Sequence, residues 1–271
     1  MISRIARVIR RDGISLFVIR VLARILRVDL GFQAAKNKAW KILEEKYDHV
    51  IAYGPFKGMK LSNDIWWSKN DRITQTLGIY EEHVLERLKE FSAQGASRFI
   101  DIGAADGYFA IGMAFSKIYS NVVAFEIEPI GQKRIRDSSA INRCEDLVSV
   151  FGEADYSSLK NLLSEDLKTS ILVDIEGAEY QLLDEEMLSL MSNCYLICEL
   201  HPWVVDDGYQ LQRKLIERAT KNFNVELIKR ECYAPNIFPE LDDLSDEERL
   251  TAVGEGREKN MQWLVLTPIH S

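Results

Sequence analysis

The chain has 271 residues, of which 46% are hydrophobic, so it can bury the core of one large domain and is not a disordered protein. Acidic residues outnumber basic ones by 42 to 34, and the resulting net charge of -8 argues against nucleic acid as a partner. The four cysteines form no CxxC pair and no zinc-ligand spacing, which argues against a disulfide scaffold and indicates a cytoplasmic protein.

The first 30 residues are rich in arginine and amphipathic. Arg20, Arg24 and Arg27 recur too often for a membrane-spanning segment, and no convincing signal-peptidase site follows the apolar stretch. Residues 14–28 place apolar side chains near one face of a predicted helix. We expect residues 1–30 to pack on their own domain or to form a homodimer contact, with peripheral attachment to the inner membrane surface as the alternative.

The segment that follows predicts a small lead-in to a larger domain. Residues 48–63 alternate apolar and small residues around two glycine turns, which predicts a β-hairpin. Apolar residues at helical spacing over 84–91 predict a helix that starts near Tyr80. We therefore expect an N-terminal extension over 1–95 and a main domain over 96–271.

From residue 97 onward, apolar runs alternate with helical stretches. The predicted strands are 98–102, 121–126, 147–151, 170–174, 194–200, 224–230 and 261–268. The predicted helices between them are 107–117, 130–141, 155–165, 178–190 and 208–221. This alternation predicts an α/β fold, a doubly wound seven-stranded sheet with helices on both faces. Ligands of such sheets bind at the carboxyl ends of the strands, where the strand order reverses.

The stretch FIDIGAADGYF runs from the first predicted strand through a turn into a helix. The turn consists of small and acidic residues: Gly103, Ala104, Ala105, Asp106 and Gly107. Its glycines let the backbone turn tightly and approach a ligand closely. The G-x-G-x-x-G fingerprint of dinucleotide sites is not matched, and Asp101 and Asp106 would repel a pyrophosphate. A ligand with a cationic amino group fits these acids better.

Acidic residues also stand at the ends of the next two strands. Glu126 is placed to accept both hydrogen bonds of a ribose diol, and Glu128 is the competing candidate. At the third strand end, Glu153 can accept from an adenine amino group, and the amide of Ala154 can meet a ring nitrogen. With Asp101 these residues predict a site for a nucleoside that carries a cationic tail.

Five motifs in order, DIGAADG, AFEIEP, GEA, ILVDIEGAE and CELH, resemble the FkbM-type family of class I S-adenosylmethionine-dependent methyltransferases. LGIYEEHV at 77–84 is similar to the segment that precedes the fold in that family. The resemblance covers roughly residues 50–270. Two departures stand out: Ala105 occupies a position where the family often has Asn, and two residues separate Glu126 from Pro129.

The resemblance implies a Rossmann-like sheet whose last strand is antiparallel, S-adenosylmethionine as cofactor, and a small-molecule or glycan acceptor. The implied reaction is O-methylation of a sugar, glycan or natural-product hydroxyl. N-methylation and a non-catalytic nucleoside-binding scaffold are the alternatives. The predicted cofactor-binding residues are Tyr80, Glu81, Asp101, Gly103, Ala104, Ala105, Gly107, Glu126, Glu153, Ala154 and Asp174.

Transfer of a methyl group to a hydroxyl needs an aligned nucleophile and a group that takes its proton. Asp174 ends the fourth strand, and Glu199 and His201, two residues apart, end the fifth on the same side. We predict His201 as the general base and Glu199 as its orienting partner or as an acceptor of a hydrogen bond from the substrate. A divalent cation on these three groups is a less favoured alternative, and His201 as a mere strand cap is another. Glu176 and Glu179 are at least as well explained by a structural role at a helix start.

The connection before the last strand, residues 231–260, is expected to shape the acceptor side of the site. Ser245 and Glu248 form a capping box that predicts a short acidic helix. Loops over the carboxyl edge of a sheet commonly form substrate pockets. We assign Trp66 and Trp67 to the same side, with docking of the extension onto the domain as the alternative.

Overall fold

The structure is a computed structural model that describes residues 30–64, 70–164, 167–230, 237–255, 257, 259 and 261–269. The predicted leader helix and the Trp66–Trp67 pair lie outside the described residues. Within the described part, no helix combines the length and the apolar character needed to cross a membrane.

Seven strands form one mixed sheet. They are β1 (Arg98–Ile102), β2 (Asn121–Phe125), β3 (Val148–Phe151), β4 (Thr169–Val173), β5 (Tyr195–Leu200), β6 (Phe223–Lys229) and β7 (Gln262–Pro268). Their spatial order is β3-β2-β1-β4-β5-β7-β6, and β7 is antiparallel to both of its neighbours. This confirms the α/β prediction, including the antiparallel last strand. The order reverses between β1 and β4, so a ligand crevice is expected outside their carboxyl ends.

The helices flank the sheet and precede it. They are α1 (Leu30–Tyr47), α2 (Arg72–Leu77), α3 (Glu82–Ala93), α4 (Tyr108–Phe115), α5 (Pro129–Ile141), α6 (Tyr156–Leu163), α7 (Glu179–Leu182), α8 (Glu185–Leu190), α9 (Gly208–Ala219) and α10 (Asp246–Val253). The capping box at Ser245 and Glu248 is present at the start of α10, as predicted.

Alternate residues of the central strands face two separate cores. Ile100 and Val123 contribute to the core shared with α8 and α9, whereas Phe99 and Val122 contribute to the core shared with α3 and α4. This period of two buries both faces of the parallel strands, which explains their nearly continuous apolar sequences. With both faces covered by helices, the carboxyl edge is the side of the sheet left for a ligand.

Two predicted elements differ from the structure. The helix predicted over 178–190 is split into α7 and α8, because Asp184 adopts an extended backbone and its side chain caps α8 by accepting from the Met187 amide. The hairpin predicted over 48–63 is reduced to one antiparallel bridge, Val50 to Lys60. Backbone hydrogen bonds between Ile51 and the 58–59 segment continue the pairing, and the next amide, that of Ala52, donates to the carbonyl oxygen of Thr76 in α2 instead.

The N-terminal helices pack against the connection between β6 and β7. Ala39 and Leu43 of α1 share a buried cluster with Ile73 and Leu77 of α2 and with Val253 of α10. The lead-in segment and the long connection therefore lie together, beside the end of the sheet that carries the predicted site.

Candidate functional site

The turn after β1 is tied to the end of β2. The amides of Gly103 and Ala104 both donate to the carbonyl oxygen of Phe125, at 2.9 and 3.0 Å. Gly103 and Gly107 have positive φ values of 88°, where a side chain would be strained. These bonds hold the turn against the neighbouring strand end and occupy the amides of Gly103 and Ala104.

The side chain of Glu126 is bonded to the backbone of this turn, whereas the side chain of Glu128 points away to solvent. One carboxylate oxygen of Glu126 accepts from the Ala105 amide at 2.7 Å, and the other accepts from the Glu128 amide at 2.8 Å. Glu126 is buried, whereas the side chain of Glu128 is exposed. Gly131 makes room for this arrangement, because a Cβ there would lie 2.6 Å from Cγ of Glu126. Of the two candidates, Glu126 is the one fixed beside the turn.

Asp101 is a buried carboxyl group at the end of β1. Burial, reinforced by the nearby charge of Asp174, raises the pKa of Asp101 to about 8. Asp106 lies in the adjoining turn, where burial raises its pKa and the guanidinium of Arg72 opposes that rise. No ion pair of Asp101 is found among the described residues. A cationic ligand group would favour its ionised form.

The end of β3 contributes less to the site. Glu153 is exposed and Ala154 is half-buried. In the described part of the chain, Glu153 has no hydrogen bond or ion pair with the other predicted site residues. Two exposed apolar residues, Ile127 after β2 and Phe151 at the end of β3, stand near it along the same edge. Sequence reasoning did not single them out, although their place at strand ends was a usable signal.

At the ends of β4 and β5, Glu179 fixes the position of His201. One carboxylate oxygen of Glu179 accepts from the His201 backbone amide at 2.8 Å, and the other accepts from the Gly177 amide at 2.7 Å. Burial would raise the pKa of Glu179, but the hydrogen bonds from His201 outweigh it and lower that pKa. Nδ1 of His201 faces the same carboxylate at 3.4 Å.

The other ring nitrogen of His201, Nε2, faces three carboxylates. They are Glu176 at 3.5 Å, Asp174 at 3.7 Å and Glu199 at 3.8 Å. Burial would lower the pKa of His201, but Glu179 and the facing carboxylates raise it. The His201 side chain is only 2% exposed, against 30% for Asp174 and 48% for Glu176. An acceptor would thus meet Asp174 and Glu176 before His201, and the role of His201 as general base stays a prediction.

Arg257 enters the site from the connection before β7. Its guanidinium donates to Glu81 at 2.5 Å and to the hydroxyl of Tyr80 at 3.2 Å. It also lies 3.5 Å from Glu255 and 3.8 Å from Glu199. Burial raises the pKa of Glu81 to about 8 in spite of Arg257. The expectation that residues 231–260 shape the acceptor side stays a prediction, and no local pattern in the sequence pointed to Arg257 or Glu255.

The structure thus brings the predicted residues to one edge in two groups. The first group lies at β1 and β2: Asp101, Gly103, Ala104, Ala105, Gly107 and Glu126. The second lies at β4 and β5 with the lead-in segment: Tyr80, Glu81, Asp174, Glu199 and His201. The first group offers carboxyl groups to a ligand, and the second offers oxygen and nitrogen atoms that can move a proton or hold a cation.

Comparison with known proteins identifies the fold. No protein-family profile and no curated protein matches the chain. Among solved structures, the METTL16 methyltransferase domain has a TM-score of 0.51 at 12% identity, over 90% of this chain and 83% of that one. The human methyltransferase 10 domain containing protein has a TM-score of 0.50 at 10% identity, over 88% and 98% of the two chains. An O-methyltransferase from Bacillus cereus in complex with SAH has a TM-score of 0.47 at 13% identity, over 92% and 96%. The chain has a Rossmann-like methyltransferase fold.

Proposed function

We propose that the protein is an S-adenosylmethionine-dependent methyltransferase that acts on a hydroxyl of a sugar, glycan or natural product in the cytoplasm. The observation that carries the proposal is the pair of carboxyl groups at neighbouring strand ends, Asp101 and Glu126, on either side of a glycine turn. The Rossmann-like methyltransferase fold and the resemblance to the FkbM-type family support it.

Glu126 is suited to hold the ribose of the cofactor. A carboxylate has about four acceptor sites, and Glu126 uses two of them for backbone amides. The remaining sites can accept from two adjacent hydroxyl groups. Ile127 and Phe151 offer apolar surface for the adenine ring. Glu153, two residues after Phe151, can accept a hydrogen bond from the adenine amino group.

Asp101 is suited to the charged end of the cofactor. Its carboxyl group is 3% exposed, and burial disfavours its charge until a cation comes close. A diphosphate in the same place would meet the acidic Asp101 and Asp106. The proposal therefore excludes a dinucleotide and favours a nucleoside with an amino acid tail.

When bound, S-adenosylmethionine supplies an electrophilic methyl group on a sulfonium centre. In the proposed reaction, Asp174 and Glu176 are the partly exposed carboxylates that meet the acceptor, and one of them takes the hydroxyl proton as the oxygen attacks. His201 acts as a positioning residue, because Glu179 fixes its ring and its Nε2 faces both carboxylates. The rate of methyl transfer depends on how well the acceptor is aligned. Arg257, which is paired with Glu81, helps to cover the acceptor.

The arginine-rich leader, residues 1–30, is the chain's candidate for a contact beyond the acceptor. We propose that it contacts its own domain or a second copy, with an anionic inner membrane surface as the alternative partner. Sedimentation with anionic vesicles, for the full chain and for a chain beginning at Ala34, separates the two. Equal pelleting of both chains contradicts membrane contact, and pelleting of the full chain alone contradicts the packing role.

The test of the proposed function is a screen for transfer of a labelled methyl group from S-adenosylmethionine to fractions of a cell extract. We expect one acceptor class to be labelled, and mass spectrometry then locates the methyl group on oxygen or on nitrogen. Asp101→Asn serves as the control for labelling that does not need the site. Binding of S-adenosylhomocysteine without any transfer would favour a scaffold. Binding of a nicotinamide dinucleotide alone would contradict the proposal.

A further inference from the structure

The three groups that face one another at the ends of β4 and β5 have the spacing of cation ligands. Nε2 of His201, one carboxylate oxygen of Asp174 and one of Glu176 all lie within 4.8 Å of one another. Two ligand atoms that each lie about 2.1 Å from one ion are roughly 3.0–3.4 Å apart at tetrahedral or octahedral angles. The distances from Nε2, 3.5 and 3.7 Å, need only small side-chain shifts to reach that range.

The orientation of His201 is that of a metal ligand. Nδ1 lies 3.4 Å from the buried carboxylate of Glu179, so a small shift of the ring would let Nδ1–H donate to it and leave Nε2 free to ligate. Nε2 then points a lone pair toward Asp174, Glu176 and Glu199. Were Nε2 protonated and bonded to one of them, the distance would be about 2.7–2.9 Å. All three distances are longer, so the geometry is not that of an imidazolium held by a close carboxylate.

Glu199 is a second, independent indication of a cation site. Its side chain is 1% exposed, and neither of its carboxylate oxygens has a hydrogen-bond partner within the described part of the chain. One of these oxygens lies 3.8 Å from Nε2 of His201 and 3.8 Å from the guanidinium of Arg257. Burying a carboxylate that accepts no hydrogen bond is unfavourable, and a nearby cation offsets that cost. Arg257 compensates the charge of Glu199 only in part, since it is shared with Glu81 and Glu255 and lies closer to both.

We propose that Asp174, Glu176 and His201 bind a divalent transition-metal ion such as Mn²⁺, with Glu199 as a further oxygen close by. One imidazole nitrogen and two or three carboxylate oxygens form a ligand set that such ions accept. Asp174 and Glu176 are partly exposed, so the remaining coordination positions face the side where an acceptor enters. The site itself does not depend on the proposed function. Its role does: the ion would bind the acceptor oxygen and make its proton easier to remove.

The experiment is a titration of the chelator-treated full chain with Mn²⁺, in which the free ion is measured by electron paramagnetic resonance. We expect one ion per chain. Glu176→Gln and Asp174→Asn should each weaken binding at least tenfold, while Glu186→Gln, an exposed acid on α8, leaves it unchanged. Circular dichroism of each variant verifies that the fold is intact. Absence of binding at millimolar Mn²⁺, or equal binding by the wild type and both site variants, overturns the proposal.

Calorimetry with S-adenosylhomocysteine on the same samples separates this inference from the proposed function. If the nucleoside binds and Mn²⁺ does not, the metal site is wrong and the methyltransferase assignment stands. If Mn²⁺ binds in the expected way and the nucleoside does not, the site is supported and the proposed function is contradicted.

Discussion

Gly103 and Asp174 approach each other backbone to backbone: a Cβ atom added at Gly103 would lie 1.8 Å from the carbonyl oxygen of Asp174. The Asp174 amide also donates to the carbonyl oxygen of Ile102 at 2.9 Å. The proposed cofactor turn after β1 and the acidic cluster after β4 are therefore held at a fixed separation. Under the proposed function, this contact would hold the methyl donor at a fixed distance from the groups that activate the acceptor.

Replacement of Gly103 by alanine tests that contact. Gly103→Ala must push the two backbones apart in addition to straining a positive φ, and we expect the free energy of unfolding to fall by more than about 3 kcal/mol. Gly95→Ala is the matched control, because Gly95 has a φ of 99° and its nearest neighbour atom would be 3.9 Å away. That control should lose only about 1–2 kcal/mol. Urea denaturation measures both, and equal losses would contradict the close approach.

Replacement of Glu126 tests the ribose contact. Glu126→Ala removes hydrogen bonds to a charged group, each about 1.5–3 kcal/mol, so we expect affinity for S-adenosylhomocysteine to fall roughly tenfold or more. Glu128→Ala, at an exposed position, should stay within about twofold of the wild type. Calorimetry gives both affinities, and thermal unfolding verifies that the turn held by Glu126 survives. A larger effect at Glu128 would reverse the assignment.

The buried carboxyl of Asp101 makes stability depend on pH. Its pKa is about 8 in the folded chain and about 3.9 when unfolded, so between these values the folded state holds a proton that the unfolded state has released. The free energy of unfolding therefore falls as pH rises from about 4 to about 8. Asp101→Asn should flatten this decline, while the exposed Asp146→Asn leaves it unchanged. Denaturation series at pH 5, 6.5 and 8 measure the free energy of unfolding of each protein. If that free energy falls with pH as steeply in Asp101→Asn as in the wild type, the burial argument is refuted.

Arg257 holds together carboxylates from distant parts of the chain. Arg257→Ala leaves Glu81 and Glu199 buried without their cation, and we expect a loss of about 3 kcal/mol at pH 8. The loss should be smaller at pH 5.5, because protonation of the carboxyl groups relieves it. Arg213→Ala, at an exposed site on α9, is the control and should change little. Equal losses at both pH values would argue against an electrostatic role.

The fold was largely predictable because buried strands and helices need apolar residues at regular spacing in the sequence. β1 matches its predicted bounds, since both faces of a central strand demand apolar residues. The antiparallel direction of β7 came from the family resemblance, because an apolar run carries no direction. The prediction of one continuous helix over 178–190 was wrong. Asp184 caps a second helix there, and apolar periodicity alone does not detect such a cap.

The site was predictable only where neighbours in sequence are neighbours in space. The turn from Gly103 to Gly107 was recognised, but the choice between Glu126 and Glu128 needed the structure, because β2 ends at Phe125 and strand alternation does not extend beyond it. The contact of Arg257 with Glu81 spans 176 residues, so no local pattern encodes it. The burial of His201 is likewise a property of the packed sheet.

The most direct test of the central claim is a crystal structure of the full chain grown with S-adenosylhomocysteine. The account predicts ribose hydroxyl groups on the carboxylate of Glu126 and the amino acid tail near Asp101, with sulfur facing the ends of β4 and β5. An empty crevice, or a phosphate bound beside Asp106, would contradict it.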